Sequence, residues 1–307
     1  MILDGSRRLA AGELEAVFLP RRGMLGASLR HRGVELLRRI DDLERAAARG
    51  STAGIPLLHP WANRLEGPRY RAAGKEVRLD LASPLLHLDE ARNPIHGVPW
   101  SKLPWDVVDA RADRLVASLD WSRPEWLAVF PFPHRLEMVV SLGFTALEIA
   151  TTLTAGPEGA VPVSFGFHPY IGLSEVPRAE WRLELPEMRR LVLDQRRLPT
   201  GAEEPFAAQN AQLGDHVFDD GFSLRGDVAT LAISGGGRRV AVELVEGYRW
   251  AQVYAPGDAD FVALEPMTAP TNALVSGDHP SVRPGETYSA AFTVAVSVPS
   301  RRRQDRV

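Results

Sequence analysis

The feature that most constrains this chain is the period of its apolar residues, which is two. In residues 135–142, Leu136, Met138, Val140 and Leu142 share one face, while Arg135, Glu137 and Ser141 point to the other. Leu147, Ile149 and Leu153 continue the pattern after Gly143, which is placed for a tight hairpin. Val240, Val242 and Leu244 alternate with Arg239, Ala241 and Glu243. Phe292, Val294, Val296 and Val298 alternate with Thr293, Ala295 and Ser297. Successive side chains of a strand point to opposite faces, so each run reads as a half-buried antiparallel strand. Helical spacing is scarce. Residues 39–49, with Asp41 and Asp42 early and arginines late, fit one short surface helix. The 26 glycines and 24 prolines supply many turns, and Ser234 to Arg238 reads as a hairpin turn rather than a phosphate loop, since it lacks the Lys-Ser/Thr. Many strands with little helix predict an all-β protein, a large antiparallel β-sandwich. With no internal repeat and no break in composition, residues 1–307 are expected to form a single domain.

Composition excludes several function classes. The chain has 36 Lys and Arg against 39 Asp and Glu, a net charge of −3. Neither nucleic acid nor an anionic membrane is expected as a partner. The basic Arg301-Arg302-Arg303 reads as a frayed terminus. There is no cysteine, which removes disulfides, thiol nucleophiles and Cys-ligated zinc. No apolar run reaches the length of a membrane helix, and the first residues lack a signal-peptide core, so the cytoplasm is the expected location.

Several polar residues stand in contexts that set them apart. Asn63 and Arg64 follow the proline-stiffened stretch Ile55 to Trp61, where an arginine offers a rigid fork of donors to sugar hydroxyls. His96 lies in the shaped turn Asn93-Pro94-Ile95-His96-Gly97, with Trp100 or Trp105 available as an aromatic face. His168 ends the apolar run Val163 to Phe167 and is followed by Pro169, which stops the strand. Its unperturbed pKa near 6.5 suits proton transfer at neutral pH. Asp219 precedes Asp220-Gly221 and could equally be a turn former. Gln252 lies in a strand-like run and could equally face solvent. Glu265 follows four apolar residues and precedes Pro266. A carboxylate there is expected to be partly buried, which is costly unless it is paired or functional. His87, Asp89 and Glu90 near His96 match no metal site with a clear mechanism.

Taken in order, these stretches resemble the aldose 1-epimerase (galactose mutarotase-like) family over roughly residues 55–275. The likeness rests on Asn63-Arg64, His96-Gly97, His168-Pro169-Tyr170, Asp219 before Gly221-Phe222, Gln252-Val253-Tyr254, and Glu265 ahead of Pro270 and Asn272. It implies a supersandwich with an open cleft on one sheet, Glu265 as general base and His168 as general acid. It also implies that Asn63, Arg64, His96, Asp219 and Gln252 bind sugar hydroxyls and the ring oxygen, with no metal or organic cofactor. The chain departs from the family at Ile171, where many members have Phe, at Met267, where the galactose branch usually has Gln, and at Thr271.

The expected partner is a small-molecule sugar, and the expected assembly a monomer or homodimer. The expected reaction is interconversion of α and β anomers through ring opening. The base takes the C1 hydroxyl proton and the acid protonates the ring oxygen, the two facing each other about a pyranose apart. The acid limb of the pH profile then belongs to Glu265 and the alkaline limb to His168. Three alternatives compete. One is a hexose 6-phosphate epimerase using a basic cluster of Arg64, Arg69 and Arg71. Another is a glycoside hydrolase using Asp219 and Glu265. The third is a non-catalytic carbohydrate-binding protein on the same fold.

Overall fold

The computed structural model describes residues 5–39, 42–49 and 52–298. The alternating runs form the strands that their period predicts. Arg114–Trp121, His134–Leu142 and Ala146–Ala155 pair antiparallel in sequence order. Thr287–Ser297 and Arg238–Glu246 extend the sheet from Ala146–Ala155. With Asp106–Ala110 at one edge and Ala229–Gly235, Arg182–Leu185 and Gln209–Gln212 at the other, they make a nine-stranded sheet. Gly236 and Gly237 both hold φ above +50°, as the tight turn into Arg238–Glu246 requires.

A second sheet of eight strands carries the cleft. Its order is Pro199–Phe206, Met188–Leu193, Phe218–Leu224, Trp250–Ala255, Val262–Met267, Gly166–Phe167 and Leu57–Leu58, and the short Tyr170–Ile171 also pairs with Val262–Met267. A four-stranded antiparallel sheet from Arg7 to Glu35 covers one end. One helix, Leu43–Arg49, falls within the expected 39–49, of which residues 40 and 41 lie outside the described residues, as does the arginine run 301–303. No described helix is long and apolar enough to cross a membrane.

The two large sheets face each other through one apolar core. Leu136, Met138, Val140, Val242, Leu244, Phe292 and Val294 from the first are fully buried. They join Phe167, Phe222, Val253 and Leu264 from the second in a single cluster. Burying each such side chain contributes about 1.5–3 kcal/mol. Because strand residues alternate, the same strands that send Phe167, Phe222, Val253 and Leu264 inward send His168, Gly221, Gln252 and Glu265 to the opposite face. The departures Ile171 and Met267 lie buried and away from the cleft: Ile171 joins the main core, and Met267 packs with Leu58, Ala62 and Trp250.

Candidate active site

Sheet register builds the floor of the site. Gly166 faces Met267 and Tyr170 faces Ala263, so the intervening His168 falls opposite Glu265. On the next strand Gln252 faces Glu265, and on the one after that Gly221 faces Gln252. Asp219 lies on the same face two residues before Gly221. Gly221 leaves room for Gln252: a Cβ there would stand 3.1 Å from Gln252 Oε1 and 3.0 Å from Leu191 Cδ1.

Two loops supply the next group. The bridge of Arg64 to Ile95 brings the Asn63-Arg64 and His96-Gly97 segments together. Both Asn63 (φ 57°) and His96 (φ 62°) occupy the left-handed region, which is uncommon outside glycine and concentrates at functional sites. The Asn63 backbone N–H donates to His96 Nδ1 at 3.3 Å. Neutral His96 must therefore carry its proton on Nε2, as a donor. Gly97 has φ 64°, and a Cβ on it would meet the His59 carbonyl oxygen at 2.3 Å, so only glycine fits. Asn272 clamps the same segment from below: its N–H donates to the Arg64 carbonyl and its Oδ1 accepts from the Glu66 N–H, both at 2.8 Å.

The result is a cleft of about 720 Å³ lined by all seven residues expected to carry the acid–base and sugar-binding roles: Asn63, Arg64, His96, His168, Asp219, Gln252 and Glu265. His168 Nε2 lies 3.2 Å from Glu265 Oε1, with the two side chains 6% and 2% exposed. Tyr170 stacks on His168 at 4.1 Å, and His96 meets it edge-on at 5.6 Å. Glu265 Oε2 and His168 Nδ1 are buried with no hydrogen-bond partner among the described residues. Arg64 donates through Nε to Asp89 Oδ2 at 3.0 Å and through Nη1 to Asn63 Oδ1 at 3.1 Å. Gln252 Nε2 donates to Asp219 Oδ1 at 2.8 Å, and Arg197 pairs with Asp219 Oδ2.

Burial dominates the electrostatics. It pushes the Glu265 carboxyl well above the usual carboxylate range, with the Asp219 charge adding to the shift and Arg64 opposing it. It lowers the His168 imidazole to about 3, helped by Arg38. His96 is likewise held well below its ordinary value by burial and then by His168, Arg64 and His87. Burial therefore disfavours the charged forms of both Glu265 and His168.

Three expectations need correction. Trp100 and Trp105 do not face the cleft; both are buried in apolar clusters, and the aromatic side chains lining the cleft are Tyr170, Tyr254 and Phe261. Arg69 and Arg71 lie exposed on the hairpin Arg69–Ala72 and do not line the cleft, so the basic cluster with Arg64 does not assemble. His168 and Glu265, the expected acid and base, are in direct contact rather than a pyranose apart. The ring oxygen and the C1 hydroxyl are both bonded to C1, so the two groups that serve them need only be neighbours. Sequence reasoning also missed Arg38 and the tip Gln195-Arg196-Arg197, which line the cleft from loops with no apolar period to mark them. Asp89, weighed only as a metal ligand, anchors Arg64 instead.

This fold, with its polar cleft on the outer face of one sheet, is that of the galactose mutarotase-like proteins. The galactose mutarotase-like protein of Clostridium acetobutylicum superposes with a TM-score of 0.82 at 22% identity, covering 95% of this chain and 94% of that one. The Slr1438 protein of Synechocystis sp. PCC 6803 gives 0.79 at 24% identity, covering 95% and 96%. The uncharacterized protein YihR of Escherichia coli strain K12 is 26% identical over 238 residues, 73% of this chain and 74% of YihR. The family model described as aldose 1-epimerase matches residues 17–295. This chain belongs to the aldose 1-epimerase family.

Proposed function

We propose that this protein is an isomerase that interconverts the α and β anomers of a free aldose, with His168 and Glu265 as the proton-transfer pair. The observation that carries the reading is their 3.2 Å contact on the floor of a polar cleft, with Glu265 Oε2 buried and without a hydrogen-bond partner among the described residues. Buried polar groups are nearly always partnered, and a sugar hydroxyl is a fitting partner here.

Ring opening removes the proton from the C1 hydroxyl and adds one to the ring oxygen. Once the shared proton has passed from Glu265 to His168 across their 3.2 Å contact, Glu265 as carboxylate accepts the first, and His168 as imidazolium donates the second. After this step the carboxyl is protonated and the imidazole neutral, which is the tautomer that burial favours. Rotation about C1–C2 exposes the other carbonyl face, and the same two transfers run backwards to close the ring. The pair ends with the single proton it started with, so no outside acid or base is consumed. His96, donating from Nε2, and Arg64 stabilise charge developing on the opening oxygen. Asn63, Asp219 and Gln252 hold the ring hydroxyls.

Among the alternatives, the glycosidase reading is weakened by Asp219, which is paired with Arg197 and hydrogen-bonded to Gln252. The phosphate reading loses Arg69 and Arg71. Glu265→Gln and His168→Asn should each lower kcat for mutarotation by about 10²–10⁴-fold while the protein stays folded, as read by polarimetry and circular dichroism. Near-normal rates in both variants would refute these roles, and sugar binding by calorimetry without any acceleration would favour the non-catalytic alternative.

A further inference from the structure

One wall of the cleft is a hairpin tip that no sequence motif marks. It joins strands Met188–Leu193 and Pro199–Phe206. Its turn is tightly bonded: Asp194 Oδ1 accepts from the Arg196 N–H at 2.8 Å and the Leu198 N–H at 3.0 Å. Arg196 reaches Glu66 at 2.8 Å, bracing the tip against the segment that carries Arg64. Arg197 adopts φ 61°, a conformation that costs a non-glycine residue and aims its side chain across the cleft. There it donates to Asp219 Oδ2, while Asp219 Oδ1 is held by Gln252 at 2.8 Å.

Ordinary surface ion pairs contribute little, and Arg197 is 61% exposed. Its partner is not an ordinary surface carboxylate. Asp219 is 22% exposed, lies on the cleft floor, and shares its face with Gln252 and Glu265. Neighbouring strands are about 4.8 Å apart and residues about 3.3 Å apart along a strand, so two strand spacings and a two-residue offset put the Asp219 backbone roughly 12 Å from that of Glu265. A pyranose whose C1 and ring oxygen sit at His168 and Glu265 directs its far edge towards Asp219. A hydroxyl is both donor and acceptor, Asp219 is an acceptor, and the Arg197 guanidinium has N–H groups beyond the one it gives to Asp219.

We propose that Arg197 is a specificity-determining residue: together with Asp219 it reads a ring hydroxyl remote from the anomeric carbon and so sets which aldose the cleft prefers. This rests on the aldose reading above and adds to it the element that discriminates among aldoses. A donor–acceptor couple aimed at one hydroxyl favours a sugar that carries it over one that lacks it, by the hydrogen bonds that the missing hydroxyl cannot make.

The test is a cycle of paired deletions. Arg197→Met keeps the stem and removes the donors. Binding by calorimetry and mutarotation rates are measured for wild type and R197M on glucose, galactose and the 2-, 3- and 4-deoxy analogues of glucose, with Tm confirming that the variant is folded. Wild type should bind one of the deoxy sugars about 10–100-fold more weakly than its parent. R197M should lose a similar factor on the parent and show no further loss on that same deoxy sugar. Equal weakening of every sugar by R197M, or no weakening, overturns the proposal while leaving the mutarotase reading intact. A wild-type protein that neither binds nor accelerates any of these sugars overturns both.

Discussion

At the scale of single residues, the proposed chemistry rests on one proton shared by two buried groups. Two groups this close titrate as a pair, losing protons in two steps that belong to both. Activity requires the pair to hold one proton. On the acid side that state ends when His168 gains a second proton, near its lowered value of about 3. On the alkaline side it ends when Glu265 loses its proton, well above the usual carboxylate range. Burial thus reverses the order of limbs expected from unperturbed values: the acid limb of kcat/KM should lie below the ordinary His value and the alkaline limb above the ordinary carboxylate value. A sharp bell centred between the ordinary Glu and His values would contradict this. The same shift has a stability signature. A carboxyl whose folded pKa is raised contributes stability below its unfolded value, about 4.3, and loses it as pH rises through the folded value. Glu265→Gln removes that loss, so its Tm should exceed that of wild type by a margin that grows with pH above about 4.3. Differential scanning calorimetry at several pH values would show a constant margin if Glu265 titrated normally.

At the scale of elements, strands position the floor and loops build the walls, and the two were not equally legible. The alternation of Leu136 to Leu142 and of Phe292 to Val298 announces its strands, because half-buried strands must place apolar residues on one face. His168 and Glu265 were legible for a related reason: each is a titratable residue at the polar end of an apolar run. The tip 194–198 gives no such signal, since polar turn residues look alike whether they face a ligand or bulk water. Trp100 and Trp105 were misread because bulk and aromaticity suit a sugar platform and a core equally well, and burial decided for the core. The segment Asp219 to Gly221 reads equally well as a turn, yet Gly221 lies within the strand Phe218–Leu224 beside Gln252. Gly221→Ala should crowd Gln252 and Leu191, raising KM several-fold with a much smaller change in kcat; steady-state kinetics would check this. An unchanged KM would show that Gln252 does not depend on that space.

For the whole molecule, the reacting pair is mounted on the sandwich core. Phe167, next to His168, packs against Phe292 of the opposite sheet at 5.0 Å between ring centres, and Phe292 also meets Tyr248. Truncating Phe292 to Ala opens a cavity in a close-packed interior and should cost about 3–5 kcal/mol of stability by chemical denaturation. The loss should fall mainly on stability, since the strand that carries His168 remains paired on both sides with Leu57–Leu58 and Val262–Met267. A large fall in kcat at a temperature where the variant is still folded would show that this packing also tunes the reacting geometry.

The opposition of positions 168 and 265 across neighbouring strands has one more consequence. A slip of one residue in either strand would turn its reactive side chain towards the oily interior, so the pair cannot drift apart gradually; it is kept or lost as a unit. The tip at 195–197 obeys no such all-or-none rule. If the tip reads the sugar as proposed, grafting a foreign tip onto this chain should change its preference while the pair at 168 and 265 stays in register.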